Sequence, residues 1–247
     1  MRPIEQMEIQ EVSESGRPLC FLIDASAKES LPPWLADFVK EKSHTARVLK
    51  ISYSSIDYQN LEVLAHETME CLSQHRIRQA AFVTYGMASL ILWKIALTQQ
   101  KLVRNAIVIN GESRPPIARR ERLFDWLEER LPLGLPFRGH NGHFHALPFL
   151  QRLRFPVLIL TVAPVSQRLR DEAEALKREL PIAWSKELEG TSELLESLLE
   201  LTTDFHSVPT KCPQKNRTPG NESPDPRARS REPGNKSDAT PKPVSLS

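Results

Sequence analysis

In residues 79–97, the sequence QAAFVTYGMASLILWKIAL joins two apolar segments with almost no spacer between them. The first segment, residues 79–84, is a short run of the length of a strand. The second, residues 87–97, is apolar on nearly all sides of a helix, and such helices are buried. The stretch therefore predicts a buried strand that turns directly into a buried helix.

The same alternation of short apolar runs and longer segments of helical period extends over residues 17–206. Apolar strands that are separated by helices are typical of a parallel sheet with both faces covered. We therefore predict an α/β domain with a doubly wound, mostly parallel sheet over this range, and residues 1–16 are interpreted as its lead-in. The predicted strands are residues 19–23, 47–52, 79–84, 105–110, 155–161 and 182–184.

This order of elements resembles the α/β-hydrolase fold, especially small ester hydrolases such as the esterases that act on carrier-protein-bound acyl methyl esters. Residues 80–92 match the strand, G-x-S-x-G elbow and buried helix of that family. Residues 102–115 resemble the strand that follows, and residues 155–163 resemble the strand that normally delivers the catalytic acid. Residues 187–192 take the place of the turn that carries the catalytic histidine.

The resemblance places the family's catalytic positions on residues that cannot perform its chemistry. Acyl transfer by this fold needs a nucleophilic hydroxyl, a histidine, a carboxylate and two N–H donors for the oxyanion. The nucleophile position falls on Gly86, the acid position near Val165 and the base position on Thr191. Asp24 follows the first strand, where these enzymes usually have His-Gly, and its carboxylate would repel an oxyanion. We therefore predict a catalytically inactive hydrolase-like protein that binds a ligand or partner.

The alternative interpretation is an active carboxylesterase or acyl thioester hydrolase with a non-standard site. Ser89 is the hydroxyl nearest to Gly86, although its offset on the helix favours a packing role. Glu112 ends a strand at which some members of the family place their acid, so it is a candidate for a surviving catalytic carboxylate. Open α/β sheets bind ligands at the carboxyl ends of their strands. The candidate pocket there comprises Asp24, Ser26, Tyr85, Gly86, Met87 and Glu112.

Residues 115–150 are predicted to form a short helical lid over this pocket, with an amphipathic helix near residues 119–130. Three histidines of the lid, His140, His143 and His145, could bind zinc or nickel if the loop folded around the ion. No fourth ligand is near them in the sequence, which favours an ordinary loop. We expect no metal at these residues.

Composition excludes several other classes of function. The net charge of +2 does not indicate a specific nucleic-acid binder, and no apolar run approaches the ~20 residues of a membrane span. The chain has neither G-x-G-x-x-G nor G-x-x-x-x-G-K-[ST], so no nucleotide cofactor is expected. The expected partner is an unknown protein or a small acyl-type ligand, in the cytoplasm.

The last 41 residues, 207–247, differ sharply from the rest of the chain. They contain 8 of the 20 prolines and carry a net charge of +4, whereas residues 1–206 carry −2. A segment with so little apolar surface cannot offset the entropy lost on ordering. We predict that this basic, proline-rich tail is disordered.

Overall fold

A computed structural model of the chain describes residues 7–25, 32–56, 60–115, 144–189 and 194–207. The described residues form seven strands: β1 Met7–Glu11, β2 Arg17–Asp24, β3 Ala46–Tyr53, β4 Ala80–Tyr85, β5 Val103–Ile109, β6 Val157–Val162 and β7 Ala183–Leu188. The helices among them are α1 Pro33–Ser43, α2 Leu61–Gln74, α3 Ala88–Thr98, α4 Leu147–Leu150, α5 Gln167–Glu179 and α6 Leu194–Ser207. A single 3-10 turn, Gln100–Leu102, leads into β5.

The strands form one sheet in the order β1-β3-β2-β4-β5-β6-β7. Only β1 runs antiparallel to its neighbour, and each of the other neighbouring pairs is parallel. The central strands are buried on both faces, and all six residues of β6 are buried. A strand that is covered on both sides is mostly apolar, which is why the sequence predicts these runs. The prediction of a doubly wound, mostly parallel α/β sheet is confirmed.

The two edge strands differ most from the sequence prediction. Residues 7–11, within the expected lead-in, form β1 and pair with β3 from Met7↔Tyr53 to Glu11↔Leu49. Strand β7, expected at residues 182–184, continues to Leu188 through exposed charged residues. An edge strand has a solvated face and one unpaired side, so its sequence lacks the apolar run that marks a central strand.

Helices cover both faces of the sheet. Helices α2, α3 and α5 pack in one core cluster, and α1 and α6 pack in the other. Helix α3 is buried along almost its whole length, as its apolar sequence predicts, and Trp93 is its largest fully buried side chain. The tail and most of the expected lid, residues 116–143, lie outside the described residues. Within the described residues, no helix has the length and apolar character needed to cross a membrane.

Candidate functional site

The candidate site lies where parallel strands β2, β4 and β5 end. Register pairs Ile23 with Tyr85 and Tyr85 with Ile109, so the three carboxyl ends lie side by side. The backbone N–H of Gly86 donates to the carbonyl of Ile109 at 3.0 Å, which links the turn after β4 to the end of β5. Asp24 and Tyr85–Met87 therefore lie at the carboxyl edge of the sheet, and Glu112 follows β5 at the same edge.

The turn between β4 and α3 is centred on Gly86, whose φ is +64°. Side chains are disfavoured in this left-handed region because Cβ approaches the following carbonyl oxygen. A Cβ built on Gly86 would lie 3.4 Å from both Cβ and Oδ2 of Asp24, an ordinary contact distance. The turn thus has the backbone of a strained strand-to-helix elbow, without the side chain that a nucleophile would need.

Asp24 occupies the position opposite this turn. Its Oδ2 atom accepts a hydrogen bond from the backbone N–H of Met87, with a donor-to-acceptor distance of 3.3 Å. In enzymes with a nucleophile elbow, the N–H of the residue after the nucleophile is one of the oxyanion donors. Met87 also precedes the first turn of α3, where the helix dipole favours a negative charge. A carboxylate of the protein itself therefore takes a position that suits an oxyanion.

Tyr85 and Trp34 form the aromatic wall of the site. Their rings meet edge to face, with centroids 5.9 Å apart. Tyr85 is half-buried, and burial, followed by the negative charge of Asp24, raises the pKa of its hydroxyl above the ordinary value. The phenol is therefore neutral at physiological pH and presents a hydrogen-bonding group beside the carboxylate.

Ser89 is fully buried beneath the turn. Its hydroxyl accepts from the N–H of Glu112 at 2.8 Å and lies within donating distance of two carbonyls, those of Gly86 at 3.0 Å and Glu112 at 2.9 Å. The indole N–H of Trp93 donates to the same Glu112 carbonyl at 3.1 Å. Ser89 thus joins the elbow to the loop after β5, because its hydroxyl forms hydrogen bonds with backbone groups of both segments.

The carboxylate of Glu112 forms a bidentate ion pair with Arg168 in the first turn of α5. The two bonds measure 2.6 and 3.2 Å, and the Glu112 side chain is only 9% exposed. The hydrogen bonds to Glu112 are the main reason that the pKa of Arg168 is raised. The candidate surviving acid is therefore paired with a residue that the sequence did not predict as its partner.

A second carboxylate from α5 holds the same loop. Glu172 accepts from the backbone N–H of Ser113 at 3.2 Å and from its hydroxyl at 2.6 Å. The guanidinium of Arg114 lies 3.7 Å from its other oxygen. Neither Arg168 nor Glu172 stands near this loop in the sequence, and no local signal identifies them as partners.

The loop after β5 also requires two unusual residues. Asn110 has a φ of +49°, and its side-chain amide pairs with the backbone of Val162, accepting at 2.8 Å and donating at 3.3 Å. At Gly111, a Cβ would lie 2.1 Å from Cγ1 of Val108, so a larger residue would require the Val108 side chain to move. Val165, at the expected acid position, precedes α5 and has no titratable group.

Several predicted residues lie beyond the described parts of the chain. Ser26, Thr191, His140 and His143 lie outside the described residues, so these positions stay predictions. His145 is described and is half-buried just before α4. No cluster of three or more His, Cys, Asp or Glu residues suited to a metal ion occurs within the described ranges.

The comparisons agree with this architecture. No protein-family model matches the chain, and no curated protein sequence matches it. An alpha/beta hydrolase from a sediment metagenome of the Mar Chica lagoon, Morocco, superposes with a TM-score of 0.57 at 13% identity, covering 83% of this chain and 96% of that chain. An esterase from Thermogutta terrifontis gives 0.59 at 12% identity, with coverages of 81% and 91%. The enol-lactonase from Burkholderia xenovorans gives 0.59 at 14% identity, with coverages of 81% and 95%.

The chain therefore has the α/β-hydrolase fold, as the order of its elements predicts. Identities of 12–14% establish the fold alone and say nothing of the activity. The activity of this chain depends on the residues of its own site.

Proposed function

We propose that this protein is a non-catalytic member of the hydrolase fold that binds a ligand at the carboxyl edge of its sheet without cleaving it. The observation that carries the proposal is the Asp24 carboxylate, which accepts a hydrogen bond from the Met87 N–H beside the side-chain-free Gly86. Nucleophilic attack and oxyanion stabilisation are the two requirements of ester cleavage in this fold. Gly86 has no side chain to act as a nucleophile, and the Met87 N–H is bonded to Asp24, which supports the proposal.

The negative charge of Asp24 also disfavours an oxyanion at this turn. Two unit charges at a separation of about 4 Å interact by roughly 4 kcal/mol at the effective dielectric of a protein surface. An oxyanion formed at this elbow would meet the Asp24 carboxylate at short range and would compete with it for the Met87 N–H. Loss of one oxyanion donor alone costs about 10²–10³ in kcat. Even with a nucleophile from another part of the chain, the oxyanion would therefore be destabilised at this turn.

The alternative, an active ester hydrolase, requires a nucleophile that the described residues do not supply at this edge. The Ser89 hydroxyl is buried and bonded to the backbone, and Glu112 is paired with Arg168. The described cysteines, Cys20 and Cys71, are buried, and burial raises the pKa of both thiols, which disfavours the reactive thiolate. These features support binding rather than turnover.

The same groups define the ligand chemistry that we propose. A molecule in contact with the Asp24 carboxylate must donate a hydrogen bond to it, and its apolar part would lie against the rings of Trp34 and Tyr85. A short-chain acyl amide meets both conditions, because its N–H donates and its chain is apolar. An ester lacks the donor.

Activity-based labelling tests the absence of catalysis. The full chain is incubated with a fluorophosphonate probe and with p-nitrophenyl esters of two to eight acyl carbons, beside an active esterase as positive control. We expect no labelling and no turnover above the heat-denatured protein. Stoichiometric labelling of the wild-type chain would establish the active hydrolase instead.

Ligand-observed NMR tests the binding. Saturation transfer from the protein to butyramide and hexanamide should be detectable for the wild type and reduced in Asp24→Asn. The matched control is Asp37→Asn, which removes the same charge from an exposed position of α1. Equal transfer in the two variants, or no transfer to any amide, would contradict the proposed binding role even if the protein proves inactive.

A further inference from the structure

A cavity of about 350 Å³ opens at the opposite edge of the sheet, where the strands begin. Arg17, the first residue of β2, lies beside Ala46, the first residue of β3, and both line the cavity. Its floor is apolar and includes Leu19 and Ala81, which are neighbours in the sheet. The cavity is therefore separate from the carboxyl-edge site, and it stands independently of the proposed function.

Three cationic side chains, Arg17, Lys42 and Arg104, line this cavity, and none of its described lining residues is acidic. Lys42 is only 6% exposed, and its ammonium donates to the Thr203 hydroxyl at 3.0 Å. Within the described parts of the chain, neither Arg17 nor Arg104 forms an ion pair. The cavity thus concentrates positive charge that the described protein does not neutralise.

Arg104 is the most informative of the three. Its Nε atom is buried and has no hydrogen-bond partner among the described residues. A buried polar group without a partner costs free energy, and such groups are rare in native proteins. Burial and the charge of Arg17 both lower the pKa of Arg104 from its ordinary value, so the guanidinium is held in an unfavourable position.

The backbone places Arg104 there through an irregularity in the sheet. Ala80 pairs with Val103 and the next residue, Ala81, pairs with Asn105, so Arg104 is the additional residue of a β-bulge in β5. Bulges change the direction of a side chain and are frequent beside functional sites. The register shift therefore sets the position of Arg104, whose buried Nε has no partner among the described residues.

We propose that this cavity binds a small phosphate-bearing molecule, whose dianionic group contacts Arg104, Arg17 and Lys42. A guanidinium presents N–H donors in a fork that matches phosphate oxygens, and two arginines with one lysine suit a double negative charge. The volume lies within the range of small-molecule sites and exceeds what the phosphate group itself needs. The organic part of the ligand would lie on the floor formed by Leu19 and Ala81.

Titration calorimetry of the full chain at low ionic strength tests this assignment. The probes are inorganic phosphate and ribose 5-phosphate, with ribose and citrate as controls for the sugar and for carboxylate charge. We expect ribose 5-phosphate to bind more tightly than inorganic phosphate, and ribose not to bind. Citrate binding as tight as ribose 5-phosphate, or no binding of either phosphate at millimolar concentration, would overturn the proposal.

Variants locate the bound phosphate. Arg104→Gln should weaken ribose 5-phosphate at least tenfold, whereas Lys186→Gln, the same charge change on exposed residue 186 of β7, should alter it less than twofold. Equal effects of the two variants would overturn the assignment to this cavity. Arg17→Gln, at an exposed strand start, provides the decisive comparison if Arg104→Gln does not fold, and it should weaken binding in the same direction.

Discussion

The polar groups at the two edges of the sheet differ in whether they are bonded to other groups of the protein. At the carboxyl edge, Ser89, Glu112 and Glu172 each have short hydrogen bonds to other groups of the protein. At the amino edge, Arg17 and Arg104 line a cavity and have no ion-pair partner within the described ranges. The first edge is where this fold usually performs chemistry, and the second is where it usually does not.

The contrast separates an edge whose polar groups are bonded within the protein from an edge whose cations have no described ion pair. The hydrogen bonds of Ser89, Glu112 and Glu172 hold the loop after β5 in place and leave few of its groups for a substrate, although Thr84 Oγ1 near the end of β4 is buried without a partner among the described residues. Charged groups that lack partners are costly, so their persistence indicates a partner that the described residues do not include. Substitutions at the two edges should therefore have opposite effects on stability.

The largest effect is expected at the carboxyl edge, for Ser89→Ala. The change leaves the buried Glu112 N–H without an acceptor, and an unsatisfied buried group costs about 1–3 kcal/mol. We expect the free energy of unfolding to fall by about 2–3 kcal/mol in urea denaturation. Ser43→Ala, which removes an exposed hydroxyl bonded to the Lys40 carbonyl, is the matched control and should cost less than about 0.5 kcal/mol. A neutral Ser89→Ala would show that the network is not structural.

A smaller effect is expected at the elbow itself, for Gly86→Ala. The nearest atoms to the added Cβ are 3.4 Å away, so the cost comes from the left-handed backbone, about 1–2 kcal/mol. Gly86→Asn should cost less, since asparagine tolerates positive φ. Chemical denaturation of both variants checks the ranking, and equal losses would mean that Asp24, rather than the backbone, opposes the side chain.

The amino edge should respond in the other direction. Arg104→Met removes a partly buried cation that has an unpartnered Nε and a repelling neighbour, and it keeps a side chain of similar length. We expect the free energy of unfolding in phosphate-free buffer to stay unchanged or to rise by up to about 1 kcal/mol. A loss above about 1 kcal/mol would show that the guanidinium already has a stabilising role without a ligand.

The smallest effect concerns the titration of Tyr85. Its raised pKa favours the neutral phenol in the folded protein, so the associated stability is fully present below the unfolded pKa of about 10 and is lost as pH rises through the folded value. Asp24→Asn removes the lesser of the two causes, and the pKa of Tyr85 should therefore fall partway. Absorbance at 295 nm measures this, with Tyr85→Phe identifying the phase. An unchanged phase in Asp24→Asn would place the carboxylate farther from the phenol.

The strand order predicted which strand ends meet at the candidate site, but the sequence did not predict the contacts made there. Gly86, Asp24 and Glu112 converge because each follows a parallel strand, and parallel strands end at one edge. Their partners Arg168 and Glu172 come from a helix 56 and 59 residues further along the chain, and no spacing rule connects them to the loop. Edge strand β1 was missed because its sequence, MEIQE, has no apolar run.

By itself, the sequence determined the central strands, the buried helix α3 and the side-chain-free elbow, because continuous apolar runs and a glycine between them act locally on the chain. Only the tertiary structure decided that Asp24 meets the Met87 N–H, that Glu112 is neutralised by Arg168, and that a bulge presents Arg104 to a cavity. These outcomes depend on strand register and helix docking, which arise from long-range packing and leave no periodic signal in the residues that they bring together.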